Sequence, residues 1–331
     1  MRHVAVLLMS IFASAASALD APTFELKLKD GEFFGGFSFS TDRERVAGSK
    51  NIEDLRVWST RDGRILLTIT LPTGLSSAPA FSSDGKSIAA GCMDKTVRVW
   101  SLENGKELFS FKGHALYNPV DVAFNSDSSR LASAAWSDGT VRTWDLKSGN
   151  QIASFDIAGS WKSVAWTPEG KQLLLAGADV RLIDAETGKN VRKFLNQATD
   201  PVALSPDATT LATGTMGLLM VARPDGHRVC EAHNEVYVWK TDDGSRVTML
   251  PGKPNEQDRS DALEFSPDGR RIGVIRSSTF QVIDVTTGKE ACSIKAETTG
   301  RSFRFAYSSD GKSVLCVTGE GLLKSWKLPE N

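Results

Sequence analysis

The stretch Asp138-Gly139-Thr140-Val141-Arg142-Thr143-Trp144-Asp145 decides how this chain is read. From Thr140 to Trp144 apolar and polar residues alternate with period two, the pattern of a strand with two distinct faces. The same pattern stands at Thr96-Val97-Arg98-Val99-Trp100. A large apolar residue closes such a run seven times, as Trp58, Trp100, Trp144, Ile183, Trp239, Ile283 and Trp326. In the first six, glycine follows five residues later, as Gly63, Gly105, Gly149, Gly188, Gly244 and Gly288. Six identical offsets identify a repeat.

A second landmark keeps step with the first. It is a large side chain running into an acidic turn, as in Phe81-Ser82-Ser83-Asp84, Phe265-Ser266-Pro267-Asp268 and Tyr307-Ser308-Ser309-Asp310. Across the seven copies the turn acids are Asp42, Asp84, Asp127, Glu169, Asp207, Asp268 and Asp310, separated by 42, 43, 42, 38, 61 and 42 residues. Asp84-Gly85, Asp268-Gly269 and Asp310-Gly311 suit tight hairpins, because glycine accepts positive φ without a Cβ clash. Each copy has room for about four short strands. One such sheet cannot bury both faces alone; stacked copies do so, and closing the stack into a ring removes its two open ends.

The unit resembles the WD-repeat (beta-transducin-like) family, and the resemblance runs from about Phe24 to Asn331. It implies an all-β fold, a seven-bladed β-propeller of four-stranded antiparallel blades. The third copy carries the fullest match, with Gly113-His114 ahead of Asp138 to Asp145. The resemblance implies a structural hydrogen-bonded chain through His114, Ser133, Asp138 and Trp144. The second copy keeps Asp94 and Trp100 but has Ala89 where serine is expected, and the fourth and sixth replace Trp by Ile183 and Ile283. The last copy stops three strands in, so Phe24-Glu25-Leu26-Lys27-Leu28 is expected to supply the missing outer strand and close the ring.

Residues 1–18 read as a secretory signal: Arg2 and His3, an apolar run from Val4 to Ala13, then Ala16-Ser17-Ala18 as a small-x-small cleavage pattern. The expectation is a cut after Ala18 and an exported protein, periplasmic or extracellular, with residues 19–331 forming one propeller domain. No Asn-x-Ser/Thr site with a permitted middle residue occurs, which suits a bacterial source. A formal net charge of −1 gives no footprint for nucleic acid or an anionic membrane. After the leader no stretch has the roughly 18 apolar residues of a membrane helix.

The spacing of 61 marks an insertion at residues 217–234, between the second and third strands of the fifth blade. Loops longer than about 12–15 residues in compact domains are often functional. The insertion reads either as a flap that contacts a partner or as a solvated excursion or extended hairpin through Pro224-Asp225-Gly226. Arg223, His227 and Arg228 are its candidate partner-binding residues. Trp136 and Trp161, near blade loops, are two more, each with packing between blades as its other reading. His227, Cys230 and His233 could ligate Zn²⁺ or Cu²⁺, but on a strand that spacing points alternate residues to opposite faces, and exposed loop histidines are the favoured account.

Cys92 and Cys316 sit in strand-like runs and read as buried apolar residues; four cysteines allow three fully paired patterns, and a Cys230–Cys292 bridge is one possibility. Neither a Gly-x-Ser-x-Gly turn nor a His-Glu-x-x-His helix occurs, and Gly85-Lys86-Ser87 and Gly311-Lys312-Ser313 lack the upstream glycine of a phosphate loop. No catalytic residue, cofactor or metal is therefore assigned. The leading expectation is a non-catalytic scaffold that binds protein through loops on the propeller faces, as a monomer or as one subunit of a complex. The rival is a propeller enzyme or small-molecule binder using the central channel. Inner runs such as Val122-Ala123-Phe124, Val164-Ala165-Trp166 and Val202-Ala203-Leu204 favour a packed centre over a polar pocket.

Overall fold

The computed structural model describes residues 17–19, 22–28, 36–49, 53–114, 120–135, 139–157, 161–177, 179–195, 199–215, 217–222, 228–233, 235–250, 260–276, 279–295, 303–318 and 320–329. They form seven four-stranded antiparallel blades of a β-propeller. Counted from the centre outward, the third blade is Val120–Phe124, Arg130–Ala135, Thr140–Asp145 and Gln151–Asp156. Each sequence unit supplies the outer strand of one blade and the three inner strands of the next. That offset leaves the seventh blade (Phe303–Tyr307, Ser313–Thr318, Leu322–Lys327) without an outer strand, and Phe24–Lys27 fills the place. Phe24 pairs with Ser325 and Lys27 with Leu322, antiparallel, as the sequence leads one to expect.

The core lies between the blades. Its buried side chains fall into seven clusters, each drawn from two adjacent blades. At the closing joint Leu28, just past the N-terminal strand, is buried with Val317 and Leu323 of the seventh blade and Phe37, Val46 and Trp58 of the first.

The turn motif is equally physical. Ser82 Oγ donates to Asp84 Oδ1 at 2.6 Å and accepts from the Ser87 backbone N–H at 2.9 Å, while Asp84 Oδ1 accepts from the Lys86 N–H at 3.0 Å. Ser266 with Asp268 and Ser308 with Asp310 repeat the arrangement. The bond from Ser205 holds the Asp207 carboxyl below its ordinary range, and that from Ser308 does the same for Asp310. The glycine five residues past each closing apolar residue has φ near +70°; Gly188, at +68°, also passes so close to Phe155 of the previous blade that an added Cβ would lie 2.4 Å from the ring. Conformation and contact both require glycine there.

Three sequence expectations meet the structure here. Ser17–Leu19 adds a fifth, parallel strand to the outer edge of the sixth blade, Ser17 pairing with Cys292 and Leu19 with Ile294. A cut after Ala18 would sever that strand. Residues 1–16 lie outside the described residues. Cys92, Cys292 and Cys316 are buried and free, so the Cys230–Cys292 bridge is not formed; Cys292 belongs to the core between the sixth and seventh blades. The insertion is a hairpin, Gly217–Ala222 paired with Arg228–His233 in a two-stranded sheet of its own. No helix among the described residues is long and apolar enough to cross a membrane.

Removing residues 19–28 takes away the closing strand and opens the joint built on Leu28. The expected outcome is aggregation or a much lower melting temperature in a thermal scan; an unchanged melting temperature would show that the ring does not need this strand.

Candidate functional site

Two polar constellations stand out within this scaffold. The first is buried in the third blade. Trp144 Nε1 donates to Ser133 Oγ at 3.0 Å, Ser133 Oγ lies 2.9 Å from His114 Nε2, and His114 Nδ1 lies 3.1 Å from Thr140 Oγ1. The chain ties the loop leading into the blade to its second and third strands. Asp138 lies outside the described residues, as does Trp136. Strand register locates the Ser133 position in the other blades, because Ser133 pairs with Arg142, two residues before Trp144. In the second blade the equivalent is Ala90, paired with Arg98, rather than Ala89. In the fifth it is Thr213, whose Oγ1 accepts from Trp239 Nε1 at 3.0 Å. That contact was readable from spacing and was missed. In the seventh it is Cys316, and the buried Trp326 Nε1 has no hydrogen-bond partner.

The second constellation lines the central channel, which the inner runs had suggested to be packed with small apolar residues. The position four residues before each turn acid is serine or alanine in six blades, and Glu264 in the sixth. Six residues before the turn acid stand Asp121 in the third blade, Ser163 in the fourth and Arg304 in the seventh. Arg43, held at positive φ in the turn of the first blade, donates from Nη2 to Glu264 Oε1 at 2.6 Å. The first and sixth blades are not neighbours, so this ion pair crosses the inner end of the seventh. Glu264 also accepts the backbone N–H of Tyr307 in that seventh blade. Asp121 Oδ2 accepts the Val164 N–H at 2.9 Å, and the Ser163 hydroxyl bonds the same carboxylate. The centre is therefore charged. The expectation of a packed apolar centre fails because these residues are single substitutions in strands far apart in the chain, and no local pattern unites them.

Desolvation pushes the Glu264 carboxyl up to about 7 against the opposing pull of Arg43 and Arg304. Desolvation raises Asp121 as well, against its backbone and Ser163 hydrogen bonds and the charge of Arg304.

The proposed partner-binding residues separate. Trp161 is corrected: it is 0% exposed, its Nε1 donates to Ile157 O at 2.9 Å, and Arg181, held by Asp179, lies over its ring at 4.9 Å. It packs the third blade against the fourth and offers no surface to a partner. Arg223 and His227 lie outside the described residues. Arg228 opens the second strand of the hairpin, opposite Ala222. No cluster of metal-ligating residues occurs among the described residues. On the face formed by the acidic turns, a groove of about 840 Å³ runs across the fourth to sixth blades past Lys171, Arg192, Asp207, Lys240 and Arg270. Both signs of charge line it, and it selects no ligand class.

Two predictions follow from these geometries. Ser133→Ala removes the buried acceptor of Trp144 Nε1 and the contact of Ser133 with His114 Nε2, which costs about 1–3 kcal/mol. Thr213→Ala strands only Trp239 and should cost less. Denaturant unfolding measures both, and equal stability of Ser133→Ala and wild type would remove the chain's structural role. For Glu264, a folded-state pKa raised above the ordinary 4.5 stabilises the fold fully below that value, and the contribution fades as pH rises through about 7. Glu264→Gln should flatten the melting-temperature profile between pH 5 and 8, and an unaltered slope would refute the assignment.

Comparison with known proteins agrees with this build. Residues 72–101 and 105–145 match the family model of the WD domain, G-beta repeat. The first match covers the three inner strands of the second blade; the second covers its outer strand and three strands of the third. No curated protein matches the chain. Two matched repeats, set in a ring of seven blades of one design, make this chain similar to the WD-repeat β-propellers.

Proposed function

We propose that the protein is an exported, non-catalytic scaffold that binds another protein, with the inserted hairpin of the fifth blade as its contact. The observation that carries the reading is the hydrogen bonding of that hairpin. Its two strands pair with each other and, among the described residues, with no blade. An isolated two-stranded hairpin is marginally stable in water, so it adds little to the ring that carries it. It leaves the blade between Thr215 and Val236, on the propeller face opposite the acidic turns. Loops presented on a rigid scaffold are where binding residues concentrate. The WD-repeat match supports a protein-interaction role in general terms. Export rests on residues 1–18 of the sequence, and Leu19 is the expected first residue of the processed chain.

The test is affinity capture from an exported-fraction extract, with residues 19–331 as bait beside a variant in which 217–234 is replaced by a short Asn-Gly turn. Matched melting curves establish that both are folded. A protein captured by the first and lost by the second is the expected result; equal capture by both would move the contact off the hairpin. N-terminal sequencing of the natural protein, together with cell fractionation, tests the compartment.

A further inference from the structure

Among the described residues the first five blades end in a bare outer strand, and the seventh ends in Phe24–Lys27. The sixth alone carries a fifth strand. Ser17–Leu19 lies along Glu290–Lys295 in parallel, with Ser17 opposite Cys292, Ala18 opposite Ser293 and Leu19 opposite Ile294. The edge is suited to an incoming strand. Each of the first six outer strands has a β-bulge at its second residue. That residue is large and exposed in the first five, as Leu66, Leu108, Ile152, Val191 and Val247, and is Ala291 in the sixth. A bulky side chain at the bulge crowds a strand laid along the edge, and a methyl group does not. From Ala291 to Ile294 the edge also lacks the charges that commonly guard an exposed strand.

We propose that the outer edge of the sixth blade is a strand-acceptor site, which in the processed protein takes, in parallel, an extended uncharged segment of another protein. The proposal rests on the export reading, because a cut after Ala18 is what vacates the edge. Such a cut leaves Leu19 as the single residue of the added strand, and one ladder position cannot hold it. The N–H and C=O groups along the edge are then a template for a new strand. In strand addition the main-chain bonds give affinity and alternate side chains give specificity. Register supplies the second. Cys292 and Ile294 are fully buried in the core between the sixth and seventh blades, so partner residues opposite them extend that junction. A small residue opposite Cys292 and an apolar one opposite Ile294 is the pattern this chain itself offers with Ser17 and Leu19. The contact is on the rim of the ring, separate from the hairpin on its face.

Amide hydrogen exchange tests this on two chains: residues 14–331, which carry the strand in cis, and residues 19–331. The outward amides of Glu290–Lys295 should exchange on the order of tenfold faster in the shorter chain. The probe in trans is a synthetic peptide of residues 14–20. It should restore that protection in 19–331 saturably, and leave 14–331, whose edge is filled, unchanged. The same peptide with Ser17→Pro and Ala18→Pro should do nothing. Alternate N–H groups of a strand face opposite edges, so one of the two prolines removes a ladder donor. Equal exchange in the two chains, no protection of 19–331 by the peptide, equal protection of both chains, or protection by the proline peptide would each overturn the proposal. So would a concentration-dependent dimer of 19–331 that protects the same amides, since it gives the edge to a second copy. N-terminal sequencing of the natural protein keeps the two readings apart. A natural chain that begins at Leu19, with no response to the peptide, refutes the acceptor edge alone. A natural chain that retains Ser17 and Ala18 refutes processing, and the vacant edge with it.

Discussion

The structure depends on one constraint: a four-stranded blade has two apolar faces, and only another blade can cover them. Seven clusters of buried side chains, one at each junction, are the direct expression of that constraint. A stack of blades satisfies every junction except the last, and ring closure satisfies that one too. Closure therefore has to be secured by the chain itself. Offsetting the sequence unit from the blade by one strand does so, because the final blade then needs its outer strand from the other end of the chain. Phe24–Lys27 supplies the ladder and Leu28 the buried anchor.

The local rules follow from the same geometry. Blades stacked face to face bring each outer strand against the turn of the next blade. At Gly188 the ring of Phe155 fills the space a side chain would need. The acidic turn at the other end of each inner strand closes on itself through serine and aspartate, so it needs little help from its neighbours. This division explains why the repeat tolerates loss of the Trp hydrogen bond in most blades. The junctions hold the ring, and the bonds around Ser133 and Thr213 refine two of its blades.

Most of the fold was legible because its causes are local and recur. Alternation in Thr140 to Trp144, glycine five residues beyond each closing residue, and the turn acids each state one constraint seven or nearly seven times. The insertion was legible as a break in that rhythm, with a hairpin through Pro224-Asp225-Gly226 as one of its two readings, and strand pairing shows the hairpin. What escaped was whatever occurs once and acts at long range. Trp161 could not be assigned to surface or core until Arg181 and Asp179 were seen to cover it. Arg43 and Glu264 are 221 residues apart and belong to blades that are not neighbours in the ring. Only the closed ring places them at one spot.

That last point bears on how a repeat acquires a site. Small residues recur on the inner strands: six blades have serine or alanine four residues before the turn acid, and Ala80, Ala123, Ala165 and Ala203 pack against the clusters between blades. The charged residues among them find side-chain partners in other blades. Glu264 finds Arg43 and the Tyr307 N–H, and Asp121 finds Val164 and Ser163 in the next blade. These bonds settle two acids and one base.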